Sequence, residues 1–153
     1  MKRWYAAVAL ILVISVSFIY PVFAGPELAG KTGYPETQTV DPVVTVSASI
    51  AEIRGYDSDY EHQHILVDEI EVIAVENGNA SQIPDRAFVS IRIDEQGIKQ
   101  PIPGLRAGAP IVIKGEFIPE EEAYKMPYNC CDAVIHFTHD PVGYVRYNGV
   151  TYR

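Results

Sequence analysis

The sequence lacks the short motifs that identify several classes of enzyme. Its 153 residues contain no HExxH helix, no GxSxG nucleophile elbow, no phosphate-binding glycine loop and no zinc-type pairs of cysteines. No reaction can therefore be assigned from a motif. Any chemistry has to come from side chains that the fold brings together.

Positive charge is also scarce. Lys and Arg together number 12 against 20 Asp and Glu, which gives a formal net charge of −8. Non-specific binding of nucleic acid depends on Lys and Arg that neutralise phosphates. OB-type barrels that bind single strands also use a basic groove with aromatic side chains. The sequence shows no such strand, so nucleic acid is a poor partner for this chain.

Cysteine is limited to the adjacent pair Cys130 and Cys131. Neighbouring α-carbons lie about 3.8 Å apart, below the roughly 4.4 to 6.8 Å of a relaxed disulfide, so a bond between them would be strained. On a strand the two would point to opposite faces and could not readily hold one metal ion together. Two separate thiols with one half-buried, a vicinal disulfide and an intermolecular bridge all remain open.

Residues 1–24 have the pattern of a secretory signal peptide. Lys2 and Arg3 precede an uncharged apolar run at residues 6–20, and small residues end the segment at Ala24. The alternative is an uncleaved anchor, because about 20 apolar residues can span a bilayer. In both cases the positive-inside rule exports the rest of the chain, so its only contact with the membrane would be this segment, if uncleaved. Cleavage would remove two positive charges and change the formal charge from −8 to −10.

Residues 25–42 are rich in proline and glycine and contain no apolar run, which predicts a flexible linker. Alternation of apolar and polar residues then begins at Val44 and continues to Ile50, as in a half-buried strand. The alternation slips at Glu52, which predicts a β-bulge that bends the strand. Glycine at position 115 predicts a bend or a close approach of the backbone within a later strand.

Further alternating segments follow without any amphipathic helix of useful length. The predicted strands are residues 44–50, 62–74, 87–93, 111–118 and 133–138, followed by a hairpin at 144–152 with Asn148 and Gly149 at its turn. Strand 133–138 is expected to bury Ile135 and Phe137 and to turn His136 and Thr138 to the other face. Residues 43–153 are therefore predicted to be one all-β domain, a five-stranded OB-like Greek-key barrel with a small C-terminal hairpin.

The one concentration of reactive side chains lies at the end of the fifth predicted strand. His136, His139 and Asp140 occur there within five residues, and His62 begins the second strand. Imidazole and carboxylate groups suit a divalent transition metal, which could activate water for hydrolysis if one coordination position stayed open. The alternative is local hydrogen bonding, in which Asp140 caps the turn and His136 bonds a backbone carbonyl.

Three segments resemble a bacterial family of small exported proteins of unknown function. They are GLRAGAPIVIKGEF at 104–117, VIHFTHDP at 134–141 and YNGVTY at 147–152. The family shows a strand ending in Gly-Glu-Tyr, then Gly-Gly-Val-Ile-His-Trp-Thr-His-His-Asp-Pro and an Asn-Gly hairpin, with an earlier His-Gln that His62 and Gln63 match. The likeness spans roughly residues 44–153. This chain lacks one histidine of the His-His pair and has Phe137 in place of tryptophan. The resemblance implies OB-like strand order and no particular activity.

Two functions are consistent with the sequence. The favoured one is an exported binding or structural module for an extracytoplasmic ligand, a glycan or an envelope protein. The alternative is a metal-binding protein or metal-dependent hydrolase that uses His62, His136, His139 and Asp140. A thiol nucleophile from Cys130 or Cys131 paired with His136 has only proximity in sequence to support it. The sequence favours binding over catalysis.

Overall fold

The structure is a computed structural model that describes residues 40–153, so the predicted signal peptide and nearly all of the predicted linker lie outside the described residues. Seven strands make up the described part: β1 (Val43–Tyr56), β2 (His62–Glu76), β3 (Ala87–Arg92), β4 (Pro110–Ile118), β5 (Val134–His136), β6 (Tyr144–Tyr147) and β7 (Val150–Tyr152). Over residues 40–153 the only helical element is a 3-10 turn at Ala80–Gln82. The same residues contain no helix of the length and hydrophobicity needed to cross a membrane.

Five of the strands close into a barrel. They follow one another in the order β1-β2-β3-β5-β4, and β4 pairs with β1 to complete the circuit. All of these pairs are antiparallel except β3 with β5, which is parallel. This is the strand order of an OB-like Greek-key barrel, so the predicted fold class is confirmed. The hairpin of β6 and β7 extends the sheet from β4.

β1 can pair with two partners because it is long and bent. Val43 to Ser49 lie against β4, and the strand pairs along its whole length with β2. Its register against β2 shifts at four places, one of them between Ile50 and Glu52, where the slip in alternation predicts a bulge. Bulges bend a strand and increase its twist, which a small closed barrel requires.

The barrel interior is filled by the alternate side chains of each strand that face inward. On β1 the alternation places Val44, Val46 and Ile50 inside with no exposed surface. Each such side chain contributes roughly 1.5–3 kcal/mol when fully buried. Ile102, from the segment between β3 and β4, closes one end of the barrel, and its backbone N–H donates to Gln63 Oε1 at 2.9 Å.

A second, smaller apolar cluster lies outside the barrel. Leu66, Phe88 and Val134 face outward from β2, β3 and β5, yet they are at most 8% exposed. They are covered by the segment between β4 and β5, residues 119–133, here called the L45 loop. Ala123 and Tyr128 of this loop pack on the cluster. One outer face of the barrel is therefore buried beneath a loop.

The predicted orientation of Phe137 and Thr138 is wrong. β5 ends at His136, and Phe137 has a positive φ of 49°. This backbone conformation reverses the alternation, so Phe137 is 41% exposed and Thr138 is fully buried. The close approach predicted at Gly115 is confirmed, because a Cβ there would collide with the carbonyl oxygen of His136 and lie 2.9 Å from Ile135 Cγ2.

Candidate functional site

His62 is fixed by an aspartate from the loop that precedes it. Asp57 Oδ1 accepts a hydrogen bond from the backbone N–H of His62 at 3.0 Å, and Asp57 Oδ2 lies 2.6 Å from His62 Nδ1. Burial works against ionisation of Asp57, but the two hydrogen bonds and the nearby imidazoles outweigh it and hold its pKa below the usual 3.8. His62 therefore has an acidic partner of its own near one end of the barrel.

His64, two residues along the same strand, is enclosed between aromatic rings. Its ring centroid lies 4.5 Å from that of Tyr128 and 5.0 Å from that of Phe88, and the residue is only 1% exposed. Its Nδ1 is buried and has no hydrogen-bond partner among the described residues. Burial lowers the pKa of His64 below 6.5, although the charge of Asp57 opposes the shift. The imidazole is therefore held neutral as part of the packing beneath the L45 loop.

His136 bonds a carboxylate rather than the backbone carbonyl expected from the sequence. It pairs across strands with Glu116, and its Nε2 lies 3.1 Å from Glu116 Oε1. The ring also lies 4.2 Å from that of Phe137. This contact fixes the end of β5 against β4.

His139 and Asp140 form the turn between β5 and β6. The carbonyl of His139 accepts hydrogen bonds from the backbone N–H groups of Val142 and Gly143, at 3.1 and 2.8 Å. Its Nδ1–H donates to the carbonyl of Asp140 at 2.8 Å, while its buried Nε2 has no partner within residues 40–153. Asp140 is exposed, and the turn is capped by backbone groups of His139 rather than by the Asp140 carboxylate that the sequence suggests.

The four residues named as metal ligands thus lie in three separate environments. His62 pairs with Asp57, His136 pairs with Glu116, and His139 and Asp140 occupy a turn. No group of three or more His, Cys, Asp or Glu within residues 40–153 is arranged to hold a metal ion. The four-ligand set is not assembled in this part of the chain.

Cys130 and Cys131 form a vicinal disulfide, which decides among the three alternatives left open by the sequence. Both residues are exposed and lie in the L45 loop. The turn around them is held by Asn129, whose Nδ2 donates to the carbonyl of Asp132 at 3.0 Å and whose Oδ1 accepts from the Asp132 N–H at 3.1 Å. The disulfide is therefore presented at the surface by an ordered turn.

Beside the disulfide lies an open cavity of about 1230 Å³, here called the end groove. It lies at the end of the barrel where β1 and β3 begin and β2 and β4 end. Its lining combines five acidic, one basic, three amide and several apolar residues: Asp41, Glu120, Glu121, Glu122 and Asp132; Arg86; Asn77, Asn79 and Gln82; and Val40, Pro42, Ile83, Pro84, Phe117, Ile118, Pro119 and Ala133, with Cys131 at one side.

The charge in the end groove is only partly compensated. Arg86, the one basic side chain among the described lining residues, approaches Asp132 with a separation of 3.7 Å between Nε and Oδ1. Glu120, Glu121 and Glu122 are exposed. The groove therefore combines apolar walls with an excess of negative charge.

Sequence reasoning missed both the end groove and the burial of His64. The groove is assembled from segments far apart in the chain, and the run at 120–122 indicates only a polar loop. Comparisons of the chain with models of protein families, with curated proteins and with solved structures found no match.

Proposed function

We propose that residues 40–153 form an exported, non-catalytic binding module that takes its ligand in the end groove. The observation that carries this proposal is the groove itself, an open cavity of about 1230 Å³ with apolar walls and placed polar groups. Small-molecule sites are typically about 300–1,000 Å³, so a groove of this size and openness suits a segment of a longer ligand. The signal-peptide pattern of residues 1–24 supports a ligand outside the cytoplasm.

The lining favours a ligand that carries positive charge along an apolar body. Five carboxylates against one guanidinium attract ammonium or guanidinium groups. Ile83, Pro84 and Phe117 supply apolar wall, and side-chain amides can hydrogen-bond a peptide backbone. A basic segment of another envelope protein fits this combination best. A neutral glycan could form hydrogen bonds with the amides, but it carries no positive charge to pair with the carboxylates.

The alternative of a metal-binding protein or metal-dependent hydrolase has less support. His62, His136 and His139 have different partners, and the buried nitrogens without partners, His64 Nδ1 and His139 Nε2, belong to different elements of the fold. None of the lining residues that the structure describes is a histidine. Binding of a basic segment needs only groups that already face the groove.

The proposal is tested with a decapeptide that alternates lysine and leucine, measured by titration calorimetry. Its glutamate-leucine counterpart and a neutral chitin oligosaccharide serve as comparison ligands. We expect the lysine peptide to bind, and the variant Glu120→Gln/Glu121→Gln/Glu122→Gln to bind it about 3- to 150-fold more weakly, because each of the three exposed charge pairs contributes roughly 0.2–1 kcal/mol. Added salt should weaken binding to the unmodified protein.

The matched control is Glu61→Gln/Glu69→Gln/Glu95→Gln, which removes the same charge from exposed positions outside the groove. It should bind the lysine peptide almost as well as the unmodified protein. If both variants bound the lysine peptide equally weakly, binding would depend on the net charge of the protein and not on the end groove. If the protein bound the chitin oligosaccharide more tightly than the lysine peptide, its ligand would be a glycan rather than a basic segment.

A further inference from the structure

We propose that the Cys130–Cys131 disulfide is a site of thiol–disulfide exchange, at which a positively charged thiol in the end groove attacks Cys131 Sγ. The expected preference for positive charge rests on the proposed function of the groove. The exchange itself rests on the exposure and position of the disulfide. The two parts can be tested separately.

The position of the disulfide argues against a role as a structural crosslink. A disulfide stabilises mainly by closing a loop in the unfolded chain, and its contribution grows with loop length. Cys130 and Cys131 are one residue apart, so their bond joins no distant segments. The turn in the L45 loop is already held by the paired hydrogen bonds of Asn129 and Asp132 and by those between Met126 and Asn129.

Access to the two sulfur atoms differs in one respect. Both residues are exposed, but only Cys131 lines the end groove. A thiol held in the groove therefore meets Cys131 first. Buried disulfides are protected from exchange because the attacking thiolate must reach a sulfur atom, and no such protection exists here.

The exchange takes place in two steps, which together balance atoms and electrons. The thiolate forms a bond to Cys131 Sγ while the bond between the two cysteines breaks, and Cys130 leaves with the electron pair and takes a proton from solvent. A second thiol, either from the same dithiol or from another molecule, then displaces Cys131 as a thiolate that is protonated in turn. The protein disulfide gains two electrons and two protons, and two external thiols become a disulfide.

The groove should select thiols by charge. Glu120, Glu121 and Glu122 are exposed along the same groove that Cys131 lines, and their field attracts a cationic thiol and repels an anionic one. This selection should weaken as salt is added, since the screening length is about 10 Å at 0.1 M and about 3 Å at 1 M. Exchange at an isolated surface disulfide would show no such preference.

The test treats the full chain with cysteamine or with mercaptoacetate at equal thiolate concentrations. Samples are quenched in acid, alkylated and mapped by tandem mass spectrometry. Fragment ions from cleavage of the peptide bond between residues 130 and 131 show which cysteine carries the adduct. We expect mixed disulfides mainly on Cys131. Because the more basic mercaptoacetate thiolate is intrinsically the better nucleophile, the ratio of the cysteamine rate to the mercaptoacetate rate is compared between conditions, and it should be at least threefold higher at low salt than at 1 M salt. In Glu120→Gln/Glu121→Gln/Glu122→Gln the ratio at low salt should match the ratio of the unmodified protein at 1 M salt. Cys130→Ser/Cys131→Ser supplies the background.

Two outcomes would overturn the exchange site: a disulfide that stays intact with both thiols, or adducts mainly on Cys130. The lysine-leucine peptide separates this proposal from the binding module. Failure of the peptide to bind, with Cys131 still modified, would refute the module alone. Binding of the peptide to a protein whose disulfide resists both thiols would refute the exchange site alone.

Discussion

Replacement of His64 by phenylalanine should stabilise the protein. His64 is 1% exposed and lies between Phe88 and Tyr128, and its Nδ1 is buried without a partner. A buried polar group that makes no hydrogen bond costs about 1–3 kcal/mol. A phenyl ring has no such group and keeps the aromatic contacts. Because the added volume opposes part of this gain, we expect a net increase in the free energy of unfolding of about 1 kcal/mol at pH 7.5.

Acid should enlarge the advantage of His64→Phe. The pKa of His64 is lowered in the folded protein, so as the pH falls below 6.5 the unfolded state binds a proton before the folded state does. The contribution of neutral His64 to the free energy of unfolding is therefore fully present above pH 6.5. It is lost as the pH falls from 6.5 towards the pKa that His64 has in the folded protein. The loss is at most about 1.4 kcal/mol per pH unit. At pH 5.5 the variant should therefore exceed the unmodified protein by up to about 2.4 kcal/mol.

The assay is urea unfolding followed by far-UV circular dichroism at pH 7.5 and 5.5, with the disulfide intact. His136→Phe is the control on the same outer face, because His136 is partly exposed and its ring bonds Glu116. It should lose stability rather than gain it. A His64→Phe protein that is less stable than the unmodified one, or whose advantage does not change with pH, would show that the imidazole makes a contact the structure lacks.

Two further substitutions test other parts of the barrel by the same unfolding assay. Gly115→Ala should lower the free energy of unfolding by about 1–3 kcal/mol, because the new methyl group collides with the backbone of His136; a loss below 0.5 kcal/mol would contradict this close approach. Gln63→Met should cost about 1–3 kcal/mol, because it leaves the buried N–H of Ile102 without its acceptor. Gln96→Met, at an exposed position, should change stability by less than about 0.5 kcal/mol.

The strands could be predicted because their inward faces are regular. Val44 to Ile50 alternate cleanly, and the structure buries the residues that the pattern selects. The hairpin turn could also be predicted, because an Asn-Gly pair favours a turn with two positive φ angles. In the structure Asn148 and Gly149 take φ of 49° and 77°. Periodicity and turn chemistry are local properties, so the sequence alone displays them.

The candidate site was harder to predict because it depends on departures from local regularity. One positive φ at Phe137 ends β5 early, and it separates His136 on the strand from His139 and Asp140 in the turn. Nothing in the alternation of residues 133–138 signals that reversal. The burial of His64 depends on Tyr128, some sixty residues later, which folds back in a loop of weak local pattern. Likewise the groove exists only once the ends of several strands meet.

The double pairing of β1 also constrains how the chain folds. β1 and β2 are joined by a short loop, so their hairpin involves contacts between residues close in sequence. Closure of the barrel instead requires Val43 to meet Glu116 and Ser49 to meet Pro110. Loop-closure entropy opposes such distant contacts until other interactions offset it, and domains dominated by them fold in milliseconds to seconds. Until β4 arrives, one edge of β1 stays open to pairing with another chain, so closing the barrel also protects the protein against aggregation.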